Sequence, residues 1–193
     1  KKMSKSIGNI VEPFEQMDKF GVDAVRFWMY SVNQPGESKN YDEKSVAEIN
    51  NKVFNLLGNV LSFYELYRDK ALEGGYQESQ HVLDQWIMAR LNQTIEHVTK
   101  GLDGYDLFTP TRTLREFIDD LSTWYLRRSR DRLKDGGGDA KRTLYTVLKT
   151  AAQLMAPFAP FMAEDIWQKL KTDSDEESVH LSAWPHEGNI NWN

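Results

Sequence analysis

The sequence predicts an all-α protein: an antiparallel helix bundle preceded by a short helical connector. Over residues 42–171, apolar side chains recur every three or four positions through long stretches, the spacing that lines one face of an α-helix. Glycine runs and prolines fall at the joints, which keeps the links short and sets neighbouring helices antiparallel. With 193 residues, 40% of them hydrophobic, the chain is large enough to bury one ordinary core.

Pro13 suits the first position of a short helix that Gly21 stops, with Phe14, Met17 and Phe20 along one side. Asp23 is placed to cap a second helix over 24–32, and Asn33-Gln34-Pro35-Gly36 reads as a turn. Residues 1–41 thus make the connector. The bundle, 42–171, opens with a helix carrying Val46, Ile49, Val53, Leu56, Leu57, Val60, Leu61, Tyr64 and Tyr67, ended by Gly74-Gly75. A second helix, over 82–102, turns Leu83, Trp86, Ile87, Leu91, Ile95, Val98 and Leu102 inward. Thr109 and Pro110 read as the cap and first residue of a third, which reaches 134. Its apolar face is Leu114, Phe117, Ile118, Leu121, Trp124 and Tyr125, and Gly136-Gly137-Gly138 breaks it. Asp139 caps a fourth helix reaching Met155, Ala156-Pro157-Phe158-Ala159-Pro160 makes a corner, and 161–170 form a last short helix. In the tail, 172–193, Ser178-Val179-His180-Leu181 reads as a short strand.

A net charge of −5 argues against a nonspecific polyanion binder, since affinity for a phosphate backbone comes from concentrated positive charge. The charge is uneven, however. Arg127, Arg128, Arg130, Arg132 and Lys134 stand against Asp131 alone, while Asp173, Asp175, Glu176 and Glu177 crowd one loop, so a basic face and an acidic end are expected. There is no cysteine, and His81, His97, His180 and His186 show no ligand spacing, so no metal site is predicted. The apolar runs are too short to cross a bilayer and the start resembles neither a secretory signal nor a transit peptide; no membrane partner and a cytoplasmic location are expected.

Trp124 and Tyr125 continue the apolar stripe and are expected to pack, and Arg128, seven residues after Leu121, is expected to be partly buried. Asp119 and Asp120 are candidate partners for the guanidinium groups. Four arginines in the six positions 127–132 are a costly concentration of like charge for a solvated face. A phosphate backbone or splayed bases would use both their charge and their planarity. Arg127, Arg128, Arg130 and Arg132, with Trp124 and, on the first bundle helix, Lys52, are the candidate RNA contacts. Asn51 and Asn55 are weaker candidates, and Asn55 fits a satisfied buried amide equally well.

At the N-terminus, Lys2-Met3-Ser4-Lys5-Ser6 continues as Ile7-Gly8-Asn9-Ile10-Val11-Glu12-Pro13. This resembles the KMSKS signature of class I aminoacyl-tRNA synthetases with the Gly-Asn, acid and Pro that follow it. Gly21-Val22-Asp23-Ala24-Val25-Arg26-Phe27-Trp28 is similar to the next segment of the isoleucyl, valyl, leucyl and methionyl members. Trp124-Tyr125-Leu126-Arg127-Arg128-Ser129-Arg130 resembles the isoleucyl branch in particular. The resemblance implies that the bundle is an anticodon-binding domain for tRNA(Ile), and that isoleucine and ATP, with Mg2+, are substrates of a catalytic domain. It also implies that Lys2, Met3, Ser4, Lys5 and Ser6 belong to the ATP site.

The implied chemistry suits those residue types. When a carboxylate attacks the α-phosphorus of ATP, negative charge builds on the phosphorus and on the departing pyrophosphate. Lys2 and Lys5, three residues apart, are the implied catalytic cations, Lys5 the more direct, while Ser4 and Ser6 add hydroxyl donors. The His-x-Gly-His nucleotide-binding fold, the editing domain and the cysteine-rich zinc module of some members are not in the sequence. The chain therefore reads as a fragment starting at the KMSKS loop, expected to bind no cofactor and catalyse nothing alone. A valyl-ligase fragment and a standalone all-helical tRNA-binding or interaction module are the alternatives.

Overall fold

A computed structural model describes residues 3–4, 8, 10–34, 36–73 and 78–188, and every regular element among them is a helix. Pro13 opens α1 (Pro13–Phe20), and Gly21, at φ +87°, takes a conformation open to glycine as the chain turns into α2 (Val22–Ser31). Met17 and Phe20 pack against the core as expected, but Phe14 is 78% exposed. Gln16 is the buried residue of α1, its side-chain oxygen accepting from the Tyr41 hydroxyl.

Asp23 does not cap its own helix. It lies within the first turn of α2, buried, and its carboxylate accepts the backbone N–H groups of Phe161 (3.4 Å) and Met162 (2.7 Å). Those N–H groups begin α9 (Pro160–Leu170), whose own cap position is Ala159 and has no side-chain cap. One turn on, Arg26 donates to the carbonyl of Pro157 at 3.3 Å. The two side chains fasten α2 to the far end of the bundle, and Phe27 and Trp28 are buried in the same core.

The first bundle helix is a continuous rod of α3 (Glu43–Ile49), a π-helical turn (Asn50–Phe54) and α4 (Asn55–Tyr67). Asp42 caps it through the N–H groups of Lys44 and Ser45, both at 3.2 Å. It ends at Tyr67, and Gly74-Gly75 lie outside the described residues. After α5 (Val82–Asp103) comes a second rod: α6 (Phe108–Asp119), a π-helical segment (Asp120–Leu126) and α7 (Arg127–Lys134). The rod starts before Thr109 because Asp106 accepts from the N–H groups of Phe108 (2.9 Å) and Thr109 (3.2 Å). Pro110 fills the space left by Gly101, where a Cβ would stand 2.4 Å from the proline Cγ, so α5 and α6 approach closely. α8 (Gly138–Met155) begins at the glycine before Asp139, which lies in the first turn and makes no cap hydrogen bond.

Leu114 and Leu133 are both buried although nineteen residues separate them. On a straight α-helix they would point about 100° apart. The π segment between them absorbs one extra residue and brings both onto the core side.

The expected strand at 178–181 is a 3₁₀ turn instead, Val179–Leu181. No neighbouring strand is there to pair with it among the described residues. Glu164 on α9 accepts from the Ser178 hydroxyl (2.8 Å) and the Val179 N–H (2.9 Å), satisfying locally what a ladder would have satisfied. No helix among the described residues is long and apolar enough to cross a membrane.

Candidate nucleic-acid interface

The π segment decides which residues α7 shows to solvent. Counting seven residues from Leu121 places Arg128 inward only if the helix is α throughout. With the extra residue, Tyr125, Ser129 and Leu133 take the inward positions. Trp124 is therefore 46% exposed and Arg128 is exposed, against the expectation from the stripe, whereas Tyr125 packs as expected. Its hydroxyl is pushed far up by burial and by the neighbouring Asp84.

Three arginines fan out around α7. The Arg128 guanidinium lies over the Trp124 indole, 3.8 Å from the ring centroid. Trp124 in turn stands 6.4 Å from Trp86 on α5, tilted by 58°. Arg130 leans the other way, 5.6 Å from the ring of Phe63 on α4. Arg127 is exposed between them, since successive positions are about 100° apart on a helix. Among the described residues none of the three has a carboxylate within ion-pair distance.

Arg132 is different. It turns under the helix and grips Asp84 with both terminal nitrogens, at 2.9 and 2.6 Å. Tyr125 (2.8 Å) and Ser79 (2.7 Å) also donate to that fully buried carboxylate. Burial pushes the Asp84 carboxyl up, but the bonds from Arg132, Ser79 and Tyr125 prevail and hold it below the usual aspartate range. The charge of Arg132 is thus committed to locking α7 against α5.

Residues 84–192 match the family model described as the anticodon-binding domain of tRNA ligase, and residues 1–42 match that of the class I tRNA synthetases (I, L, M and V). The chain belongs to the family of anticodon-binding domains of tRNA ligases. It is 42% identical over 193 residues to the isoleucine–tRNA ligase of Deinococcus radiodurans, covering 95% of this chain and 18% of that protein. The isoleucine–tRNA ligases of Clostridium novyi (42% over 196 residues, 95% and 19% covered) and Streptomyces coelicolor (39% over 196, 96% and 18%) are similar to it as well. The chain thus spans under a fifth of the length of these relatives. In fold it is similar to the LeuRS of Agrobacterium radiobacter, solved as a ternary complex with tRNA and LeuAMS, with a TM-score of 0.73 and 22% identity over 97% of this chain and 22% of that one.

Within this anticodon-binding domain the remaining candidates lie apart in role. Lys52 pairs with Glu48 (3.0 Å), which also takes Arg115 of α6 (2.7 Å). Asn55 is exposed and donates to Asn51 across one turn, so it is no buried amide. Asp120 pairs with Arg90 at 2.9 Å, and Asp119 is exposed; neither neutralises the α7 arginines. Of the KMSKS residues, Lys2, Lys5 and Ser6 lie outside the described residues. Ser4 is half-buried, and Met3 helps line an apolar cleft of about 270 Å³ with Val11, Trp28, Met29 and Tyr41. The stripe assigned Trp86 to the core and gave no reason to pick out Phe63 or Asp84, because their roles depend on side chains contributed by another rod.

Proposed function

We propose that this chain is the tRNA-docking part of an isoleucine–tRNA ligase, binding the anticodon arm of the isoleucine tRNA through the outer face of α7. The observation that carries the reading is the fan of Arg127, Arg128 and Arg130 beside exposed Trp124, with no carboxylate partner among the described residues, on a chain of net charge −5. Unneutralised arginines beside an aromatic surface suit a phosphate backbone with unstacked bases. Similarity to isoleucine–tRNA ligases over 95% of the chain favours isoleucine over valine and over a standalone module. In the ligase, ATP with Mg2+ and isoleucine would meet at a catalytic domain in the cytoplasm, with Lys2 and Lys5 placing positive charge on the departing pyrophosphate and Met3, Ser4 and Ser6 completing that loop.

The test is tRNA affinity. Arg127→Ala or Arg130→Ala should weaken binding by about 1–3 kcal/mol where a base is touched, or lower the salt slope by about one ion where only phosphate is. Thermal unfolding should be unchanged in both variants. Unaltered affinity and salt slope in both would overturn the assignment of this face. Charging of valine in preference to isoleucine by the whole ligase would overturn the amino-acid reading.

A further inference from the structure

We propose that the Arg128 guanidinium, held over Trp124 with Trp86 beside it, is the seat on which one unpaired base of the bound RNA stacks. The inference rests on the tRNA-binding reading above and adds the mode of contact. Arg128 already has its guanidinium carbon 3.8 Å from the indole centroid, and the residue is exposed with no carboxylate within ion-pair distance among the described residues. It is open to solvent on its other side, and a guanidinium is a planar, weakly hydrated cation on which a base plane stacks well.

The stack is held in place before any ligand arrives. Trp124 is 46% exposed, yet Trp86 on α5 stands 6.4 Å away and restricts the movement of the indole. The Arg132–Asp84 bond fixes α7 on α5, so the two tryptophans keep their spacing. Little side-chain freedom is left to lose on binding. Arg130, at 5.6 Å from the Phe63 centroid, lies farther from its ring, and Arg127 has no ring beneath it among the described residues. These two are suited to the phosphates on either side of the seated base, which a guanidinium fork can bind through two N–H groups. A duplex keeps its bases stacked on one another, so the ligand of this seat is a single-stranded loop.

Binding of the 193-residue chain to the synthetic anticodon stem-loop of the isoleucine tRNA tests this, with a series of the same RNA in which each loop base in turn is removed and its sugar kept. Arg128→Lys retains the charge and loses the plane. It should bind the intact loop about tenfold more weakly, the scale of one base stack, with an unchanged salt slope. For one abasic RNA the wild-type protein should already show that loss, and Arg128→Lys should then add nothing. Trp124→Phe, which keeps a ring under the guanidinium, should bind within about threefold of wild type. Circular dichroism checks that each variant is folded. Wild-type affinity of Arg128→Lys for the intact loop overturns the base seat, as does an equal loss on every abasic RNA. In either case the tRNA-binding reading stands if Arg127→Ala and Arg130→Ala still weaken binding. A wild-type chain with no preference for this stem-loop over an unrelated hairpin overturns both.

Discussion

Asp84 shows how far a single side chain reaches in this molecule. Four hydrogen bonds converge on its carboxylate, and without it Arg132 and Tyr125 would each be left facing an apolar interior. Asp84→Ala should destabilise the chain by about 3 kcal/mol, the low end for breaking a buried pair because Arg132 is 26% exposed, as measured by denaturant unfolding. The pH dependence follows from the depressed carboxyl. Its contribution to stability is complete above the ordinary aspartate value of about 4 and is lost as pH falls through the lower folded value, so the wild-type excess over Asp84→Ala should shrink in acid. At this scale the sequence was legible where a residue's role follows from its neighbours in the chain, as with Pro13 opening the helix it begins. Asp84 was not, since three of its four hydrogen bonds come from Tyr125 and Arg132, more than forty residues away.

At the scale of the element, the rods carry information that periodicity alone hides. The apolar stripe correctly placed Leu114, Phe117, Ile118, Leu121 and Tyr125 in the core, and failed for Trp124 and Arg128, on the far side of the one-residue phase shift. A π turn leaves no mark in composition; it arises because Leu121 and Leu133 both fit the core better than a regular helix would allow. If that is its origin, removing one exposed residue should restore a regular α-helix with both ends still in register. Deletion of Thr123, which is exposed and whose hydroxyl bonds to the Asp119 carbonyl one turn back, should therefore cost about 1 kcal/mol or less. Insertion of an alanine at the same point should cost several times more, because it turns Leu133 about 100° off the core. Denaturant midpoints of the two variants provide the comparison. Helix α9 invites a second measurement. Asp23→Ala removes its cap from a distance and should cost about 1–2 kcal/mol, with Asp23→Asn recovering part of it.

The molecule as a whole is one core with an uneven coat of charge. Phe27 and Trp28 of α2 are buried together with Leu57, Phe117 and Leu148, so the backbone N–H groups of α2 and α8 should exchange with solvent at similar free energies, and earlier exchange throughout α2 would contradict this. The acidic loop is partly neutralised, Asp175 holding Lys149 at 2.5 Å, while Arg127, Arg128 and Arg130 have no carboxylate within ion-pair distance among the described residues. In the whole ligase, Lys5→Ala should slow isoleucyl-adenylate formation by roughly ten- to a thousandfold and leave tRNA affinity at the wild-type value, which pyrophosphate exchange and binding measurements would separate. The bond from Asp23 to Phe161 and Met162 bears on how such enzymes can be recombined. Its acid lies in the stretch matching the synthetase model, 1–42, and its two N–H groups lie in the stretch matching the anticodon-binding model, 84–192. A chimera that joins the front of one ligase to the bundle of another near residue 42 separates the two halves of that contact. Grafts whose front parent supplies an acid at position 23 should keep the contact, and those whose front parent lacks it should be less stable by about 1–2 kcal/mol in denaturant unfolding.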